Sequence, residues 1–240
     1  MDVNDLVEKD IDTIKNATWN TRKGTVVPST ETIALNGGAV ELDAAYLFAD
    51  MANSSKMART FDRRVTAKIL KSFLAASVRI IRYHNGTVMS FDGDRVMAAF
   101  VGDSPATTAT RCAFSISWMV TKVLRPKFES KYETVRDAPF EIRHATGVAY
   151  GTVFIVRAGA RGDNDLISIG GVPNLAAKFS DIRENGYDTY ISRTVHNRLL
   201  DSAKKKLDGS DIPWEDRSWD FAGSTILLNR TSYWRKPKTK

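Results

Sequence analysis

Two aspartates stand where a sheet could bring them together. Asp50 closes the apolar run "VELDAAYLFAD" (residues 40–50), which reads as a mostly buried strand ending in a carboxylate. Asp94 sits at the tip of "GTVMSFDGDRVMAAF" (residues 86–100), two strand-like runs hinged on Asp92-Gly93-Asp94. Asp-Gly is among the strongest short hairpin signals, because glycine accepts positive φ and aspartate caps its own backbone. A turn alone accounts for those residues. A hard-metal site accounts for them too, provided the two strands are neighbours. Two carboxylates together with substrate phosphates supply the oxygen ligands that Mg2+ or Mn2+ takes. His84, His144 and His196 are isolated and lack zinc-ligand spacing, so they read as surface or hydrogen-bonding residues. Cys112, the single cysteine, lies in a helical-looking stretch and reads as a small core residue.

The elements that must position these carboxylates follow from periodicity. Val65, Ile69, Phe73, Ala76 and Ile80 recur at helical spacing, which predicts a core-facing helix over residues 62–83. Ile116, Met119, Val120 and Val123 mark a second helix over about 106–128. "FEIRHATGVAYGTVFIV" predicts two strands broken at Tyr150-Gly151, and "DLISIGG" a short strand before a helix opening at "VPNLAAKFSDIRE". "GYDTYIS" then reads as a strand, "RTVHNRLLDSAKKK" as a helix and "STILLNRTSYW" as a closing strand. Residues 3–18 read as a helix with Leu6, Ile11 and Ile14 on one side, followed by loop to Gly38. Strands and helices alternate, but several strands are hairpin-linked. This predicts an α+β fold, a mixed or antiparallel sheet with helices packed on it. The expected organisation is an extension over 1–38 and a single domain over 39–240.

Composition narrows the function classes. The chain has 240 residues, 42% of them hydrophobic, enough for one sizeable core. No apolar run approaches the roughly 20 residues that span a bilayer, so no membrane partner is expected. The acidic N-terminus lacks an apolar signal core, and with one cysteine the expected home is the cytoplasm. A net charge of +7 favours polyanions in general. Arg63-Arg64, Lys204-Lys205-Lys206 and the tail "WRKPKTK" show no interleaved aromatics at stacking spacing, so they read as solvated faces and no nucleic acid is expected. The phosphate loop, the dinucleotide fingerprint and the serine nucleophile elbow are absent.

Four segments then resemble one family in its own order, over residues 40–180. "LFADMANSS" is similar to the first metal segment of class III nucleotidyl cyclase domains, and "GTVMSFDGDRVMAAF" to their second metal hairpin. "GVAYGTVFI" resembles their Gly-Ile-x-x-Gly-x-Val segment, and "ISIGGVPNLAAKF" their Ile-Gly-x-x-Val-Asn-x-Ala-Ala-Arg-Leu helix. The resemblance implies a ferredoxin-like core. It implies Asp50 and Asp94 as ligands of two divalent ions, Mn2+ or Mg2+, with the carbonyl of Met51 as a further ligand. Asn174 matches the asparagine that orients the nucleotide; near the start of its helix it also suits an N-cap. Lys178 stands where most members carry an arginine that stabilises the α-phosphate. It keeps the charge but loses the bidentate fork. Phe48, beside the metal strand end, lines the nucleotide pocket or only packs the core.

The departures from the family concern the base. Ser90 and Ile167 occupy the positions that read adenine or guanine, and neither matches a purine-reading pair. Ile167 offers no hydrogen bond, and a buried base edge without a partner costs about 1–3 kcal/mol per group. A degenerate domain is one explanation. A pyrimidine substrate is the other, as in the short, free-standing bacterial cyclases that make cyclic UMP or cyclic CMP as antiviral signals. Ser90 can donate and Arg95 only donates, which favours the carbonyl of uracil over the amino group of cytosine. The resemblance further implies a homodimer in which the metal aspartates of one subunit face Asn174 and the base-reading positions of the other. The expected reaction converts UTP, in preference to CTP, to its 3′,5′-cyclic monophosphate and pyrophosphate. An adenylate or guanylate cyclase and a non-catalytic nucleotide-binding module remain the alternatives.

Overall fold

The computed structural model describes residues 2–160, 162–221 and 223–238. Helix α1 (Val3–Lys15) and strand β1 (Asn20–Lys23) precede the long strand β2 (Gly38–Ala52). Helices α2 (Ser54–Thr60) and α3 (Arg63–Tyr83) lead into the hairpin of β3 (Thr87–Asp92) and β4 (Arg95–Phe100). Helix α4 (Pro105–Met119) passes through a π turn into α5 (Arg125–Lys131), and α6 (Glu133–Arg136) follows. Then come β5 (Arg143–Ala160), β6 (Asp163–Ile169), α7 (Gly171–Ser180), β7 (Thr189–Ser192), α8 (Arg193–Asn197) and α9 (Asp201–Lys204). The hairpin of β8 (Glu215–Phe221) and β9 (Ser224–Thr231) ends the fold.

The sheet runs β3-β4-β2-β5-β7-β9-β8, with β1 beside β2 and β6 beside β5. Pairs β1–β2 and β5–β7 are parallel and the rest antiparallel, so the sheet is mixed, as the α+β reading expects. Side chains alternate across β2 because a strand has a period of two. Ala45, Leu47, Ala49 and Met51 enter one core with Ile69, Phe73 and Ile81 of α3 and Ala109, Ala113 and Ile116 of α4. Leu42, Ala44 and Tyr46 enter a second core on the other face, with Ala149, Val153 and Ala176 of α7. Helix α3 starts where expected because the Asp62 carboxylate accepts the backbone N–H of Arg64 at 2.8 Å.

Strand β5 is one continuous element of 18 residues, not two strands broken at Tyr150-Gly151. Two of its glycines serve packing. A Cβ on Gly147 would lie 2.1 Å from the carbonyl oxygen of Ala176, and one on Gly151 would lie 2.9 Å from Val172. Helix α7 therefore lies directly on the strand backbone. The stretch expected as loop before Gly38 contains β1. The helix expected over 193–206 is two short helices, because Leu200 is extended and its N–H is held by the Thr107 hydroxyl at 2.9 Å. Helix α1 stops at Lys15, and Leu6, Ile11 and Ile14 are exposed. Among the described residues, no helix is long and apolar enough to cross a membrane.

Candidate active site

Strands β2 and β4 are antiparallel neighbours with Asp50 opposite Arg95, so Asp94 arrives at the same sheet edge. Gly93 makes that arrival possible at φ +59°, in the left-handed region that a tight hairpin requires. The Asp50 side chain is 14% exposed and takes the Arg183 guanidinium at 2.5 Å. Burial pushes its carboxyl above the usual range, the charge of Asp94 pushes the same way, and Arg183 pulls against both. Oδ2 of Asp94 is buried with no hydrogen-bond partner among the described residues. Two opposed carboxylates and an unpartnered oxygen form a site that a hard cation would complete. No third His, Cys, Asp or Glu joins them among the described residues, so further ligands must be backbone or substrate oxygens. Met51 buries its side chain in the α3–α4 core, which leaves only its carbonyl for that role.

Phe48, Ser90 and Arg95 share one sheet face, whereas Ile167 alternates with Leu166 and Ser168 and so lies on the other. Phe48 lies opposite Met97, and Met97 opposite Ser90, so Ser90 and Phe48 share a row next to the Asp50–Arg95 row. Arg95 is committed within the chain. Its guanidinium lies 5.7 Å from the Phe48 ring centre and donates to Asp92 at 2.6 Å and Asp181 at 3.3 Å. Only its buried Nε lacks a partner. Ile167 is 46% exposed on β6, opposite Val156, nine residues along β5 from the Gly147 that faces Phe48. The structure thus does not place Ile167 in the Ser90 row. Its neighbour Ser168, however, bonds the Tyr46 hydroxyl at 2.7 Å, which leans β6 toward the face carrying Phe48.

Asn174 and Lys178 lie one turn apart on α7 and are both exposed, while Pro173, Ala176, Phe179 and Ser180 face inward. Lys178 comes within 3.9 Å of Asp181, the residue that also holds Arg95. One chain therefore gathers Asp50, Asp94, Arg95 and Arg183 at the edge. It presents Asn174 and Lys178 on a face turned outward.

Comparison with known proteins bears on what this arrangement is. No family model matches the chain. A uridylate cyclase from Rhodovulum sp. (strain MB263) is 57% identical over 237 residues, covering 99% of both chains. The chain belongs to the uridylate cyclase family. A uridylate cyclase from Burkholderia cepacia is 37% identical over 90% of this cyclase and 91% of its own length. Among solved structures, the adenylyl cyclase CyaB from P. aeruginosa superposes with a TM-score of 0.65 at 18% identity, over 80% of this chain and 94% of that one. The guanylyl cyclase Cya2 superposes with a TM-score of 0.66 at 15% identity, over 82% and 95%. At such identities these two establish the fold.

Sequence reasoning missed four residues around this part of the cyclase. Arg183 pairs with Asp50, Asp181 links Arg95 to Lys178, and Ser168 bonds Tyr46 farther along the same face. Each depends on α7 or β6 folding back over β2, and no local pattern announces that. Cys112 is fully buried on α4, and burial pushes its thiol far above the usual range, so it is no nucleophile.

Proposed function

We propose that this cyclase converts UTP to 3′,5′-cyclic UMP and pyrophosphate, as a homodimer with two composite sites. The observation that carries the catalytic reading is the Asp50–Asp94 pair with its unpartnered buried oxygen. The choice of UTP over CTP is supported by the relatives named uridylate cyclases. The composite site is supported by Asn174 and Lys178 facing outward from the chain that holds the carboxylates. A two-fold arrangement turns each such face toward the partner's edge.

In this reading, Asp50 and Asp94 would hold two divalent ions, Mn2+ or Mg2+, and the Met51 carbonyl would be a further ligand. Such ions lower the pKa of the attacking ribose 3′-hydroxyl and neutralise triphosphate charge. The 3′-oxygen bonds to the α-phosphorus as the bond to pyrophosphate breaks. Lys178 from the facing subunit aims its ammonium at the α-phosphate, where charge grows, and Asn174 orients the nucleotide. Arg183, which pairs with Asp50, would have to give up that carboxylate to a bound ion. Phe48 offers a flat face, with Ser90 in its row; the unpartnered Nε of Arg95 is one donor left for a uracil carbonyl. Residues 39–240 form the catalytic unit, with 1–38 as its extension. The same proposal places the enzyme in the cytoplasm, its product a second messenger in antiviral defence. Loss of protection in infected cells carrying Asp94→Asn would support that role.

The test is incubation with each of the four nucleoside triphosphates and Mn2+ or Mg2+, followed by mass spectrometry of the products. Cyclic UMP as the main product is expected. Cyclic CMP would overturn the donor argument, and a cyclic purine nucleotide would overturn the pyrimidine reading. No product from any of the four would leave a nucleotide-binding module.

A further inference from the structure

On the sheet face opposite α7, the helical layer borders a polar cavity of about 280 Å3. Its walls are the C-terminal end of α3, one side of α4, α9 and the chain end at 235–238. Six cations line it against one carboxylate, Asp201. Two of the six are committed. Lys205 pairs with Asp211 at 2.7 Å, and Arg235 donates to the carbonyls of Ser202 and Lys205 at 2.7 and 2.6 Å. The Lys236 ammonium rests 5.9 Å from the Trp118 ring centre. The side chains of Arg111, Lys206 and Lys238 make no ion pair and no hydrogen bond among the described residues.

Arg111 decides the matter. Its Nε is buried without a partner. Among the described residues, only Asp94, Arg95 and Arg230 share that state as charged side chains. Asp94 and Arg95 belong to the candidate active site, and Arg230 is held by Glu184 and Glu215. Arg111 alone of the four lies in this cation-rich cavity with no carboxylate paired to its guanidinium among the described residues. A buried N–H without an acceptor is costly, and the oxygen of an anionic ligand would offset that cost. The walls are already pinned. The Arg235 N–H reaches the Phe114 carbonyl at 3.1 Å, the Tyr83 hydroxyl reaches the Lys238 carbonyl at 2.9 Å, and the His84 ring pairs with the Ser115 hydroxyl at 3.0 Å. Pre-organisation of this kind lowers the cost of binding.

We propose that this cavity binds a phosphate-bearing anion, with Arg111 as its anchor and Lys206 and Lys236 at its rim. A guanidinium suits phosphate because its planar fork matches two oxygens. The volume falls at the small end of ligand sites, which suits phosphate, pyrophosphate or a monophosphate ester better than a triphosphate.

The test uses the full chain in EDTA, which keeps divalent ions off Asp50 and Asp94. Inorganic phosphate, pyrophosphate and 3′,5′-cyclic UMP are titrated separately by calorimetry and thermal melting at constant ionic strength. Saturable binding of at least one probe to a single site per chain is expected. Arg111→Gln should weaken it about tenfold or more, the loss of one charge-assisted pair, whereas Lys178→Gln should not change it. The double variant Lys206→Gln/Lys236→Gln, which alters only rim residues, gives the same reading should Arg111→Gln fail to fold. The proposal is overturned if no probe saturates, if sodium chloride produces the same shift, or if these variants bind like the wild type. Sensitivity to Lys178→Gln instead would assign the anion to the active site and equally overturn it.

Discussion

On one face of β2, Ala45, Leu47, Ala49 and Met51 are sealed beneath α3 and α4. On the other, Tyr46 is buried beneath α7 and β6, Phe48 is half-covered, and Asp50 ends the row beside an unpartnered Asp94 oxygen. The same strand supplies both faces, and the difference lies in what covers them. Two long helices close the first face within a single chain. The second is closed by α7, ten residues long, so its far end stays open and polar. The sealed face thus supplies stability. The open face retains a charge repulsion that the fold does not resolve by itself, and there a ligand can act.

Five experiments break or sharpen that contrast. The largest effect is expected at the open edge. Asp94→Asn should lower cyclase turnover about a thousandfold, because it removes a charge that the proposed two-ion site requires. It should leave the melting temperature unchanged or raised, because it also removes the charge that opposes ionisation of Asp50. Turnover within tenfold of wild type would sink the two-metal assignment.

Next comes the α7 contact that limits how far the open face is covered. Gly147→Ala should cost about 3 kcal/mol in urea unfolding, since the added methyl meets the backbone of α7 and that backbone cannot give. An unchanged midpoint would show that α7 can slide.

The sealed face has its own signature, in pH. His144 is buried between Phe73 and the Ser117 hydroxyl, 3.3 Å away. Burial lowers its pKa to about 4, below the ordinary histidine value of about 6.5. The unfolded chain therefore binds the proton first as pH falls. Full stability holds above the unfolded value and is lost between there and the folded one, about 2 kcal/mol at pH 5. Comparing unfolding of wild type and His144→Gln at pH 7.5 and pH 5 should show a smaller acid loss in the variant. Equal losses would remove His144 from the account.

A mixture tests whether a second subunit completes the open face. Asp50→Asn and Asn174→Ala chains should each be inactive alone. After subunit exchange they should recover about a quarter of wild-type activity, since half the dimers carry one intact site of two. Confirmed exchange without recovery would refute the composite site. The smallest effect is expected for Arg183→Ala. Without the guanidinium that occupies Asp50, Mn2+ should bind about threefold more tightly. Weaker binding would instead make Arg183 a necessary part of the site.

Read alone, the sequence determined what depends on neighbours along the chain. Helical spacing marked α3 and α4, Asp-Gly marked the β3–β4 hairpin, and the run to Asp50 marked β2. Asn174 and Lys178, four apart on a helix, had to share a face. What the sequence left undecided depends on groups distant along the chain. Gly151 looked like a break in β5 and proved to be a bed for α7, because a missing Cβ serves a turn and a close contact equally well. Strand β8 escaped notice because it lies at the sheet edge with mostly exposed side chains, which leaves no apolar alternation to read. The pairing of Arg183 with Asp50 spans 133 residues, and Arg95 turned to Asp92 and Asp181 rather than standing free. A charge takes whichever partner the tertiary fold brings within reach, and that choice has no local signature.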